Sequence, residues 1–115
     1  MEDYRIEIIN VVGSEYCIEA EDGKIVYDQI KAAIDNGNRV ILSFRNVEIL
    51  TTSFLNTAVG QLYRDLTDER VKEIISVENM SPSDQAKLKR VNDTAKLYYK
   101  NPERMKKTIE EIMED

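Results

Sequence analysis

Histidine is missing from this sequence altogether. With it go the commonest general base and the commonest transition-metal ligand, which argues against hydrolytic and zinc chemistry. Cys17 is the only cysteine, so no disulfide can close within the chain and a thiolate metal cluster is excluded. Gly13, Gly23, Gly37 and Gly60 stand apart and fit no phosphate-cradling loop, so any ATP in this biology has to arrive with a partner. No apolar run approaches the roughly 20 residues that a membrane-spanning helix needs. The opening MEDYRIEI is acidic where a secretory leader is basic and then continuously apolar, and a cytoplasmic location is the expectation.

What is present describes an ordinary globule. The 115 residues are 42% hydrophobic and 33% charged, enough for one core and one domain spanning 1–115. A net charge of −6 speaks against nucleic acid, whose phosphates need clustered cations. The charge is uneven, with eight Lys/Arg against fifteen Asp/Glu in residues 1–80 and eight against seven in residues 81–115.

Hydropathy patterning gives the order ββαβαβαα. Tyr4, Ile6 and Ile8 alternate with Arg5 and Glu7 as a half-buried strand does, and Gly13 with Ser14 predicts a turn into a second, antiparallel strand over Glu15–Ile18. From Asp22 the spacing of Val26, Tyr27, Ile30, Ala33 and Ile34 is helical, with Gly37 as the stop. Arg39–Phe44, RVILSF, predicts a central strand covered on both faces. Phe54, Leu55, Ala58, Val59, Leu62, Tyr63 and Leu66 predict a helix starting near Ser53, with Thr51, Thr52 and Ser53 as candidate caps. Val71–Val77 reads as a further strand. Ser81, Pro82 and Asp84 then start a helix carrying Leu88, Val91, Ala95 and Tyr98 on one face, and a last helix buries Met105, Ile109, Ile112 and Met113. That last stripe fits an amphipathic helix that docks a partner, and core packing or a homodimer accounts for it equally well.

The stretch VILSFRNVEILTTSFLNTAVGQLY, Val40–Tyr63, resembles the core motif of STAS domains, the fold of bacterial anti-sigma factor antagonists. In those domains a buried strand ending in V-x-L-D-F/L leads through V-x-x-I/L-D-S/T-S-G into a helix. Val40, Leu42 and Phe44 fit the strand, Val47 and Leu50 fit the loop, and Ser53 stands where the phosphorylatable serine would be. The divergent STAS-like subgroup is similar in carrying an aromatic after that serine, as Phe54 does here. Ser43, Thr51 and Phe54 replace the strand aspartate, the loop aspartate and the glycine of the pattern.

The resemblance implies an α/β fold with a mixed sheet of about four strands, an N-terminal hairpin followed by β-α crossovers, helices mainly on one face and two helices at the C-terminus. It also implies a non-catalytic regulatory module. Its partner would be a protein, a GHKL-type ATPase or serine kinase, docked at Thr51, Thr52, Ser53, Phe54 and Asn56, with Ser53 as the phosphorylation site. No catalytic residue, cofactor, metal, nucleic acid or membrane enters that reading. A constitutive scaffold of the same fold is the alternative, and a small hydrolase using Ser53 the remote one.

Other clusters carry bland readings. Lys87, Lys89, Arg90, Lys96 and Lys100 suit a solvated helix face whose cations meet the negative dipole end. Glu19, Glu21 and Asp22 lack the calcium-loop spacing. Cys17 reads as a small core residue with no cation nearby to lower its pKa.

Overall fold

The structure, a computed structural model, describes residues 2–100. β1 (Asp3–Glu7) buries Ile6 and turns Arg5 and Glu7 to the opposite side, as its alternation dictates. The chain then enters a short helix, α1 (Ile8–Val12), which ends on Gly13 in the left-handed region at φ 78. β2 (Tyr16–Cys17) follows, then α2 (Ala20–Asp35), which buries Val26, Tyr27, Ile30 and Ala33. α2 closes at Gly37, φ 81, whose N–H donates to the Ile34 carbonyl at 2.9 Å. β3 (Arg39–Ser43) and β4 (Ile49–Leu50) come next, separated by a turn in which the Val47 N–H donates to the Phe44 carbonyl. A helical segment then runs through α3 (Thr52–Leu55), a π-helical stretch (Asn56–Gly60) and α4 (Leu62–Asp65). α5 (Asp68–Ile74), β5 (Ile75–Glu78) and α6 (Pro82–Lys100) complete the described chain.

β3 is the centre of a three-stranded parallel sheet ordered β1-β3-β5, and β2 pairs with β4 in a separate parallel pair. The expected α/β class therefore holds, with β3 central, but three local expectations do not. The N-terminal hairpin is absent, since β1 and β2 lie in different sheets and every ladder among the described residues is parallel. Ile8, Ile9, Val11 and Val12 have the spacing of a helical turn, and Gly13 serves as that turn's C-cap where a hairpin bend was expected, its N–H donating to the Ile9 carbonyl at 2.9 Å.

The expected strand over Val71–Val77 is half helix. Thr67 caps α5 by accepting from the Arg70 N–H at 3.2 Å, and Val71 and Ile74 sit one turn apart on its buried side. Extended backbone begins only at Ile75.

β3 is also covered less completely on its second face than expected, where Ser43 is buried but Ile41 and Arg39 are not. Val40 and Leu42 are buried with Ile6 beneath the helices, while Ile41 on the other side is partly open. On that open side Arg5 bridges Glu7 at 2.7 Å and Glu78 at 2.6 Å, tying β1 to β5 across β3. Such half-exposed pairs are worth at most about 1 kcal/mol each.

α2 packs against β3 and against the helical segment that opens with α3, and α6 packs on the same segment. α6 starts as expected, with Ser81 Oγ accepting from the Asp84 N–H at 3.2 Å, and it buries Val91 and Ala95. The second C-terminal helix expected around Met105–Met113 lies outside the described residues.

Candidate functional site

Thr51 makes the bend from β4 into α3. Its hydroxyl donates to the Ile18 carbonyl at 2.6 Å and accepts from the Phe54 N–H at 3.1 Å, so one side chain caps the helix and clasps it to the chain leaving β2. The Thr51 N–H donates to the Cys17 carbonyl at 3.1 Å and the Glu48 N–H to the Glu15 carbonyl at 2.8 Å, completing the β2–β4 ladder. From α6, Lys87 Nζ donates to the Leu50 carbonyl at 3.0 Å and pairs with Asp84 at 3.5 Å.

Behind this bend α2 and α3 meet backbone to backbone. A Cβ on Gly23 would lie 2.5 Å from the Phe54 carbonyl oxygen, a distance that side chains essentially never reach. Glycine is therefore what lets α2 approach the start of α3.

The five residues expected to meet a partner separate on this scaffold. Thr52, Ser53 and Asn56 are exposed, while Thr51 is partly buried with its hydroxyl committed to the fold. Phe54 is fully buried and anchors the core, which corrects the expectation that it faces a partner. Its place is set by the helix: with Ser53 outward, the next residue points about 100° around and meets α2. Ser53 also follows β4 of the small sheet and not the central strand directly. The turn through Asn46, held in the left-handed region at φ 63, redirects the chain between the two.

Sequence reading missed the surface beside these hydroxyls. Tyr16 and Ile49 are register partners on the outer side of the β2–β4 pair, 47% and 45% exposed, and Ile18 is 45% exposed. Cys17 and Leu50 fill the inner side and are buried. The signal was available in the alternation Tyr16-Cys17-Ile18, which makes one side of any strand there Tyr and Ile. Glu15 and Glu48 edge this apolar face, and the hydrogen bond to Glu15 pushes the Tyr16 phenol above its ordinary pKa.

Burial, with help from Asp22, pushes the Cys17 thiol up to about 11, which removes it as a nucleophile near neutral pH. Among the described residues no group of three or more Cys, Asp or Glu side chains is arranged to hold a metal ion, and no helix is long and apolar enough to cross a membrane. Ser43, at the place of the pattern's strand aspartate, is fully buried and accepts from Asn79 Nδ2 at 3.4 Å.

A family model described as a STAS-like domain of unknown function (DUF4325) matches residues 22–85, more than half of the chain. The match runs from the first turn of α2 to the first turn of α6 and includes the whole Thr51–Asn56 bend. No curated protein and no solved structure matches the chain.

Proposed function

The chain belongs to the STAS-like domain family (DUF4325), and on that footing we propose that it is a non-catalytic, cytoplasmic regulatory module that binds another protein at the Ser53 rim. One observation carries the reading. Exposed Thr52 and Ser53 stand at the end of β4, directly beyond the exposed apolar pair Tyr16–Ile49 and next to Ile18, whose carbonyl the neighbouring Thr51 holds. Large apolar side chains grouped on one outer face, edged by charge, are the mark of an interaction surface.

The partner in this reading is a GHKL-type ATPase or serine kinase, as for anti-sigma factor antagonists, and the switch is phosphorylation of Ser53. A phosphate there brings a charge of about −1.5 to −2 into an apolar contact that offers it no partner. Losing a contact worth about 2 kcal/mol weakens association roughly thirtyfold. The modification is compatible with the fold, because Ser53 is exposed and the capping hydroxyl belongs to Thr51.

Binding of a GHKL-type ATPase from the same genome, measured by biolayer interferometry, tests this. Ser53→Ala is expected to bind as the parent does, and Ser53→Asp and Ile49→Asp to bind about thirtyfold more weakly while melting at the parent temperature. Equal binding by all four forms contradicts the reading.

A second reading, a constitutive scaffold docking through the same face, is favoured by Thr51 and Ser43, which put structural hydrogen bonds where the family pattern has aspartates. Mass spectrometry of protein from its native host separates the two, since a scaffold shows only unmodified Ser53.

A further inference from the structure

β1 is an edge strand, pairing with β3 and with no other strand among the described residues. The hydrogen bond from the Arg39 N–H to the Glu2 carbonyl, 2.8 Å, fixes which of its backbone groups that pairing uses. Successive residues of a strand turn their N–H and C=O to opposite sides, so Glu2, Tyr4 and Ile6 face β3. Asp3 and Arg5 therefore present theirs at the open edge. Asp3, Tyr4 and Arg5 are all exposed, Tyr4 by 44%. An uncovered row of this kind is a template for another strand.

A second copy of β1 fits it in one register. Run antiparallel, the two strands can bond only through residues that face the edge, so Asp3, Arg5 and Glu7 must oppose one another. That rule also puts the helices of both copies on the same side of the joined sheet. Centring the pair on Arg5 sets Arg5 against Arg5 and Asp3 against Glu7, and centring it on Asp3 sets Asp3 against itself; like charges directly opposite are destabilising. Centring it on Ile6 makes Tyr4 meet Ile8, which is fully buried and already part of α1. Only the pair centred on Tyr4 sets Asp3 of each copy against Arg5 of the other, with both residues exchanging backbone hydrogen bonds.

The side chains have atoms to spare for this. Arg5 engages Glu7 through Nε and Glu78 through Nη1, and Asp3 meets Arg39 through Oδ1 at 3.0 Å. Arg5 Nη2 and Asp3 Oδ2 have no hydrogen-bond partner among the described residues. On the helix side of the sheet the two Tyr4 rings meet at the axis, at a pair without backbone hydrogen bonds, where side chains come closest.

We propose that the chain forms a transient homodimer in which two β1 strands pair antiparallel about Tyr4, joining two three-stranded sheets into one. Asp3–Arg5 of each copy is a short contact beside the roughly 1,200 Å2 that stable interfaces bury, so the dimer forms at high chain concentration. It uses none of the Ser53 rim and does not depend on the reading given to that rim.

Sedimentation equilibrium and amide shifts of the full chain between about 10 µM and 1 mM test it. The average mass is expected to rise from one chain toward two across that range, with concentration-dependent shifts at Asp3–Glu7 and none at Tyr16–Ile18. Asp3→Lys and Arg5→Glu each set like charges opposite, and each should stay monomeric by itself. Mixed in equal amounts, the two variants should associate to within about tenfold of the parent, because each then meets its opposite charge. A purely structural role for either residue does not produce that rescue. A parent that stays monomeric throughout overturns the proposal. So does a dimer whose shifts fall on the Tyr16–Ile49 face, association by either variant alone, or a mixture of the two folded variants that stays monomeric.

Discussion

The helical segment 52–65 is gripped from two sides in different ways. α2 meets its first turn at Gly23, where backbone touches backbone and a methyl group would stand 2.5 Å from the Phe54 oxygen. α6 meets its π-helical stretch at Gly60, where an added Cβ would lie 3.6 Å from Val91 and 3.7 Å from Ala95, ordinary packing distances. The first contact has no slack and the second has some. The tight contact lies directly behind the Ser53 rim, while the looser side-chain packing lies at the far part of the segment.

The largest effect is expected at the rigid contact. Gly23→Ala should lower unfolding stability by about 1–3 kcal/mol even though alanine is the better helix former, because the clash falls on backbone that cannot move aside. Urea titration measures it, and an unchanged or raised midpoint would remove the contrast between the two sides. Thr51→Val comes next, at about 1–2 kcal/mol, since it removes both the α3 cap and the clasp to Ile18. In the same titration Gly60→Ala should be neutral or stabilising by up to about 1 kcal/mol.

The smallest effect lies on the open sheet face. Arg5, and after it Ser43, hold the Glu7 carboxyl below its ordinary value of 4.5. A lowered carboxylate pKa stabilises the fold above the unfolded value and loses that contribution as pH falls through the folded one. Stability should therefore drop as the pH is taken below 4.5, and Glu7→Gln should flatten that drop by losing the same small contribution at neutral pH, leaving the stability at low pH nearly unchanged. Thermal melts across that range decide it.

What the sequence disclosed depended on whether the deciding contacts were local. α6 was legible because its cap, first-turn proline and buried stripe all lie within Ser81–Ala95. β3 was legible as an aliphatic run, and α2 as a period ended by Gly37. The pairing of β2 was not, because its partner β4 lies more than thirty residues away and each strand contributes only two residues. Val71–Glu78 misled for another reason: Val71 and Ile74 satisfy a helical turn, Ile75 and Val77 a strand, and the short apolar run contains both periods.

At the site, the hydroxyl run Thr51–Ser53 was visible and the division of labour within it was not. Only the geometry gives the cap to Thr51 and leaves Ser53 exposed. The apolar face of Tyr16, Ile18 and Ile49 escaped because a sequence shows alternation without showing which side is left uncovered.

Hydrogen exchange on the complex with the GHKL-type ATPase tests the docking surface most directly. Amides of Tyr16–Ile18 and Ile49–Ser53 should gain protection in the complex while those of α5 exchange as in the free chain. Protection falling on α5 and α6, with the Tyr16–Ile49 face unchanged, would contradict the account.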